Sequence, residues 1–233
     1  MPKSVEKILV WDLPLRLFHW LLVIAILASW FTSKQEGEMV EQHMLIGYFI
    51  LSLVIFRLLW GVFGTKHARF KHFIPTPKKL TGYIKQTEST STNKYAGHNP
   101  LGSLMVIAMI VLLLLQASSG LFINDDIFSS GPYHSSVSSD VAKFMKFIHH
   151  NAFDLILALT ILHLIAIGFY WLKKKNNLVI PMVTGKKPAD QVSYSDQIPH
   201  SQIIRALIIA IAVGVFIYWL VVLNVPVVEE YYY

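Results

Sequence analysis

Five stretches of this chain are apolar for long enough to cross a bilayer, and polar connections separate them. A spanning helix needs about 20 apolar residues. The runs fall at about 14–32, 42–63, 100–123, 147–171 and 203–224. The first opens on Asp12-Leu13-Pro14, a capping acid with a proline in the first turn, which predicts a helix start there. No small-residue cleavage site follows it, so it reads as a span and not as a signal peptide. The third, GSLMVIAMIVLLLLQASSGLF, is the most apolar, and the fifth carries no charge beyond Arg205 at its entry. The pattern predicts an all-α membrane protein: a four-helix transmembrane bundle plus a fifth, C-terminal transmembrane helix.

The connections differ in charge. Residues 1–12 are short and polar. Residues 64–98 carry Lys66, Arg69, Lys71, Lys78, Lys79, Lys85 and Lys94 against one acid, Glu88. Pro75, Pro77 and the ESTSTN run at 88–93 predict a loop there with at most short surface helices. Residues 124–146 read as a second loop, with Asn124-Asp125-Asp126, a Gly-Pro turn and a serine cluster. Lys173, Lys174 and Lys175 stop the fourth span, and 176–200 is polar again. The tail, VPVVEEYYY, is acidic and aromatic, and no fixed-period repeat is present. Basic residues gather in the N-terminus, the 64–98 loop and the 173–200 loop. The positive-inside rule therefore predicts a cytoplasmic N-terminus and, after five spans, a C-terminus on the outer side.

Composition agrees with the membrane class. Of 233 residues, 54% are hydrophobic and 15% charged, with a mean hydropathy of +0.51. The formal charge of +6 sits in loops, so it bears on orientation in lipid and not on nucleic acid. There is no cysteine, which excludes thioether haem attachment, iron–sulfur ligation and thiolate zinc sites. Histidine is then the leading metal ligand, and the chain has ten. A histidine inside a span is costly unless it is used.

The fourth span, FIHHNAFDLILALTILHLIAIGFYW, organises the candidates. His149 and His163 lie 14 residues apart, close to four helical turns, so both face one side about 21 Å apart along the axis. His150 is off that face and reads as a neighbour of the site. With the predicted orientation, His43 and His149 fall at the outer level, and His19 and His163 at the cytoplasmic level. Two pairs of imidazoles from facing helices are what two bis-histidine haems need. His67, His72, His98, His134 and His200 read as interfacial residues.

Other residues make weaker cases. Arg16, Arg57 and Arg69 suit haem propionates, since a guanidinium fork matches a carboxylate. They also fit a snorkelling role, the preferred reading for Arg69. Gly47 and Gly120 could admit a porphyrin to a helix backbone, or serve helix packing. Trp11, Trp20, Trp30, Trp60, Trp171 and Trp219 read mostly as an interfacial belt. Gln116, Ser118 and Ser119 could meet a quinone, though interhelical hydrogen bonding is the plainer reading.

Four motifs, WDLPLRLFHWLL, EQHMLIGY with FRLLWG, GHNPLG, and HHNAFDLILALTILHL, resemble the bacterial cytochrome b561 family, whose relatives include b-type cytochrome subunits of nickel–iron hydrogenases. The likeness covers about residues 8–185. It implies a four-helix bundle with two haem b groups, ligated by His43 with His149 and by His19 with His163. That gives a diheme domain over 1–185, then a polar linker and extra helix over 186–233. The expected activity is electron transfer between the quinone pool and a periplasmic partner, either a c-type cytochrome or a redox enzyme subunit. An electron-transfer subunit is favoured over a stand-alone quinone-linked oxidoreductase such as a superoxide oxidase. A haem-free proton or metal transporter is the third reading. Many relatives have an acid after the first span-four histidine, where this chain has His150.

Overall fold

A computed structural model describes residues 6–87, 95–125 and 129–226. Lys3, Glu88, Lys94, Asp126, the 88–93 run and the EEYYY end of the tail lie outside the described residues. The chain is a multi-pass membrane protein with five apolar helices: α1 (Leu13–Thr32), α2 (Glu38–Phe63), α5 (Pro100–Ser119), α6 (Ser139–Leu172) and α8 (Ile203–Tyr218). A 3-10 turn, Gly120–Phe122, extends α5, and a π-turn, Trp219–Leu223, extends α8. Between them come α3 (Phe70–Phe73), α4 (Pro77–Thr87) and α7 (Val179–Thr184).

Two expectations for the connections need correction. The 124–146 segment is not loop throughout, because α6 begins at Ser139 with Asp140 in its first turn, where an acid suits the helix dipole. The N-terminal segment is not merely a polar lead. Lys7–Leu9 (β1) pairs antiparallel with Lys186–Pro188 (β2), and Ile8, Val10, Trp11 and Asp12 are buried. Gly185 makes this junction. It closes α7 with φ +81°, and its carbonyl accepts from the amides of Val10 (2.9 Å) and Trp11 (3.0 Å). A side chain there would strain the backbone and strike the Trp11 carbonyl.

The described residues divide into two compact units. Unit 1 takes the chain up to His19, with Arg57–Met109 and Leu159–Ile209. Unit 2 takes Trp20–Phe56, Ile110–Ala158 and the residues from Ala210 on.

Unit 1 is built on a buried polar knot. Asp12 caps α1 through Oδ1, which accepts from the Leu15 amide at 2.7 Å. The same carboxylate accepts from Trp60 Nε1 at 3.1 Å and from the Thr65 hydroxyl. Trp60 is fully buried and Trp11 nearly so, which removes both from the interfacial belt; Trp20, Trp30, Trp171 and Trp219 remain exposed. In unit 2, Tyr133 donates its hydroxyl to the Leu220 carbonyl at 2.8 Å and so ties the 129–138 loop to the π-turn.

Burial is uneven along the spans. In α2, 39% of the apolar window is buried, and in α6, which carries two of the candidate ligands, 6%.

Candidate functional site

In unit 2, His43 on α2 and His149 on α6 have ring centres 6.3 Å apart, with planes at 81°. His43 Nδ1 lies 2.9 Å from the Ser29 carbonyl on α1, with the Ser29 and Thr32 hydroxyls at 3.3 and 3.4 Å. His149 Nδ1 lies 2.9 Å from the Gln116 carbonyl on α5, with the Ser119 hydroxyl at 3.3 Å. A carbonyl only accepts, so each Nδ1 carries the proton and each Nε2 keeps its lone pair. This is the arrangement that orients metal-binding histidines. Metal–imidazole bonds of about 2.0–2.1 Å, with about 1.1 Å from nitrogen to ring centre, put opposed ligand rings about 6.3 Å apart. The pair therefore fits a shared metal ion.

A Cβ on Gly120 would sit 3.2 Å from His149 Cε1, so the glycine lets the ring lie against the α5 end. A Cβ on Gly47 would meet nothing within 4 Å. His150 is exposed, its ring centre 6.3 Å from that of His149 and nearly perpendicular. Ser119 donates to the Gln116 carbonyl at 2.9 Å, while Gln116 Oε1 is buried and accepts no hydrogen bond among the described residues.

In unit 1, His19 on α1 and His163 on α6 lie within electrostatic reach of one another. Arg57 is buried, donates from Nη1 to the Ala68 carbonyl at 3.1 Å, and lies over the rings of Phe70 and Phe73 at 5.0 and 5.7 Å. Arg16 donates from Nη1 to the Val183 carbonyl. Arg16 Nε, Arg57 Nη2 and Arg69 Nε are buried without hydrogen-bond partners among the described residues.

Of the histidines read as interfacial, His67 is buried and His98 half-buried. His67 Nε2 lies 2.7 Å from the Asp196 carbonyl. His98 is clamped between Trp11 and Phe73, with ring centres at 4.8 and 5.1 Å. Burial pushes its pKa down to about 3, with Arg57 adding to the effect, so the ring stays neutral. Lys187, also buried, donates to the Tyr95 carbonyl at 3.1 Å, and burial brings its pKa down to about 8. His72 and His200 are exposed and His134 half-buried, as surface residues would be. The GHNPLG motif was the one sequence signal for His98. Asn99 in it caps α5 through Oδ1 to the Gly102 amide (2.7 Å) and donates to the Tyr170 hydroxyl (2.7 Å).

Among the described residues no three or more His, Cys, Asp or Glu are grouped to hold a metal ion. Two imidazoles alone are too few for a protein-only cage, which takes three or four ligands, and they match the axial demand of a haem.

The family model described as prokaryotic cytochrome b561 matches residues 10–185. A probable Ni/Fe-hydrogenase B-type cytochrome subunit of Azotobacter vinelandii is 26% identical over 135 residues, covering 47% of this chain and 56% of the relative. The protein so described from Azotobacter chroococcum mcd 1 is 26% identical over 134 residues, with the same coverage. The one from Rhizobium leguminosarum bv. viciae is 20% identical over 227 residues, covering 79% of this chain and 91% of the relative. The chain thus spans little more than half the length of the two Azotobacter relatives it matches.

Proposed function

The chain belongs to the prokaryotic cytochrome b561 family, and on that footing we propose that it carries electrons across the membrane through two haem b groups, one in each unit. His43 and His149 would hold one haem, and His19 and His163 the other. The observation that carries this reading is the unit 2 pair: rings 6.3 Å apart, each with its Nδ1 turned to a helix carbonyl. The sparse burial of α6 supports it too, because a helix carrying ligands for two macrocycles has less of its surface against protein. Each haem, held by its two histidines, would supply one-electron transfer.

The residues then have separate tasks. Ser29 and Gln116 fix ring orientation through their carbonyls and raise the basicity of each Nε2. Arg16 and Arg57 offer guanidinium edges to propionate carboxylates. Residues 186–233, the linker and added helix, contribute β2 and the buried Lys187 to unit 1.

Electrons would pass between the quinone pool and a redox partner on the periplasmic side, a c-type cytochrome or an enzyme subunit. The hydrogenase-subunit names of the relatives favour the enzyme subunit. The basic loops support a cytoplasmic N-terminus, and the family supports an inner-membrane location. Purified protein should give b-type reduced-minus-oxidised bands and about two haems per chain. A preparation without Soret absorption would overturn the reading in favour of the transporter. Stoichiometric quinol oxidation by the isolated chain would make it an oxidoreductase in its own right.

A further inference from the structure

We propose that His98 and the free edge of Arg57 form a carboxylate-binding pair in unit 1, and that this is the task of the histidine in GHNPLG. The inference rests on the haem reading above. Its basis is an imbalance of polar atoms. Arg57 spends Nη1 on the Ala68 carbonyl, while Nη2 is buried and unpartnered among the described residues. His98 Nδ1 is in the same condition, and both side chains lie against the Phe73 ring, the imidazole centre at 5.1 Å and Arg57 Cζ at 5.7 Å. The ring is clamped by Trp11 and Phe73, so it is not free to swing toward another partner. Asp12 is within reach of Arg57, but its oxygens already serve the Leu15 amide, Trp60 and Thr65.

Buried donors of this kind are costly unless an acceptor meets them. A guanidinium edge beside an imidazole N–H suits a carboxylate, which accepts at two oxygens and brings the charge Arg57 lacks. His98 also lines a cavity of about 250 Å³ with Lys66, His67 and Tyr95, so a group has room beside it. His98 lies within electrostatic reach of His163. A propionate of the haem on that ligand is the carboxylate nearest to hand, and a free carboxylic acid in the cavity is the other source of the same chemistry.

The test uses the full-length purified holoprotein with haem labelled by 13C at the propionate carboxyls. His98→Phe keeps a ring between Trp11 and Phe73 and removes the donor; His98→Gln restores one. His98→Phe should retain two haems, lower one midpoint potential, because an unpaired carboxylate favours the oxidised iron, and shift a label-sensitive carboxylate band in redox-difference infrared spectra. His98→Gln should recover part of both changes. The same potential drop with movement of an unlabelled carboxylate band also supports the pair and assigns it a free acid. Two haems with unchanged potentials and bands in His98→Phe would overturn it, as would equal haem loss in both variants. Wild-type protein without haem would overturn the underlying reading instead.

Discussion

In unit 2 the two histidines are held by backbone. Each gives its Nδ1 proton to a helix carbonyl, the nearby polar groups are uncharged hydroxyls, and the one buried atom left open is an acceptor, Gln116 Oε1. Unit 1 instead buries charge. Asp12, Arg16, Arg57 and Lys187 are all in that unit, and Arg57 is buried with one nitrogen unspent. A carbonyl partner fixes a ring without adding charge, so it orients a ligand and changes local potential little. Buried guanidinium groups do the reverse: they attract anionic groups and favour the reduced form of a nearby iron. The units accordingly suit the same cofactor with different electrostatic settings, and the unit 1 haem should have the more positive midpoint potential.

The sharpest way to break this comparison is to remove one ligand at a time. His163→Ala should lose one haem and leave most of the other, halving the Soret absorbance per chain. His149→Ala should do the same to the other haem, leaving the more positive midpoint in a redox titration. His150→Ala should keep both, since its ring is exposed. Loss of both haems from either single variant would mean the units do not bind independently.

A second prediction concerns the unit 1 knot. Asp12→Ala removes a helix cap and the acceptor of the Thr65 hydroxyl, and takes one partner from Trp60. A lost cap costs about 1 kcal/mol, and a buried unpaired donor about 1–3 kcal/mol. Thermal denaturation in detergent should show a loss of about 2–4 kcal/mol. An unchanged melting temperature would show that the knot is not what holds this unit.

How much of this the chain announced depends on the range of the interaction. The five spans are local properties, fixed by hydropathy, and were readable. The cap at Asp12 was readable for the same reason. Trp60, in FRLLWG, was not. A tryptophan near a span end looks like a belt residue, and only its bond to a carboxylate 48 positions earlier makes it core. The pairing of Lys7–Leu9 with Lys186–Pro188 joins strands of three residues each across most of the chain, and neither strand has a pattern long enough to signal it. His98 was misplaced because its clamp comes from Trp11 and Phe73, on two other segments.

Lys187 offers a test that needs no cofactor signal. Its folded pKa is about 8 against an ordinary 10.5, with burial as the cause. Between those values the unfolded chain holds a proton that the folded chain has released, so stability rises as pH climbs from about 8 to 10.5. Wild type should gain on the order of 2 kcal/mol over that interval relative to Lys187→Met. A parallel pair of melting curves against pH would show that the ammonium reaches water.

The smallest expected effect tests unit 2 alone. Gly120→Ala introduces a Cβ 3.2 Å from His149 Cε1 and 3.5 Å from Nδ1, closer than side chains ordinarily approach. Either the ring or the α5 end must give by a few tenths of an ångström. The Nδ1 bond to the Gln116 carbonyl resists ring movement, so the strain should appear as a weakened orienting bond and not as lost ligation. The expected result is two retained haems, a small shift in one midpoint or in the low-temperature α-band of one haem, and no change in the other. A shift confined to the haem that survives His149→Ala would show that Gly120 acts on the wrong unit, and the contrast between a backbone-held pair and a unit with buried charge would fail.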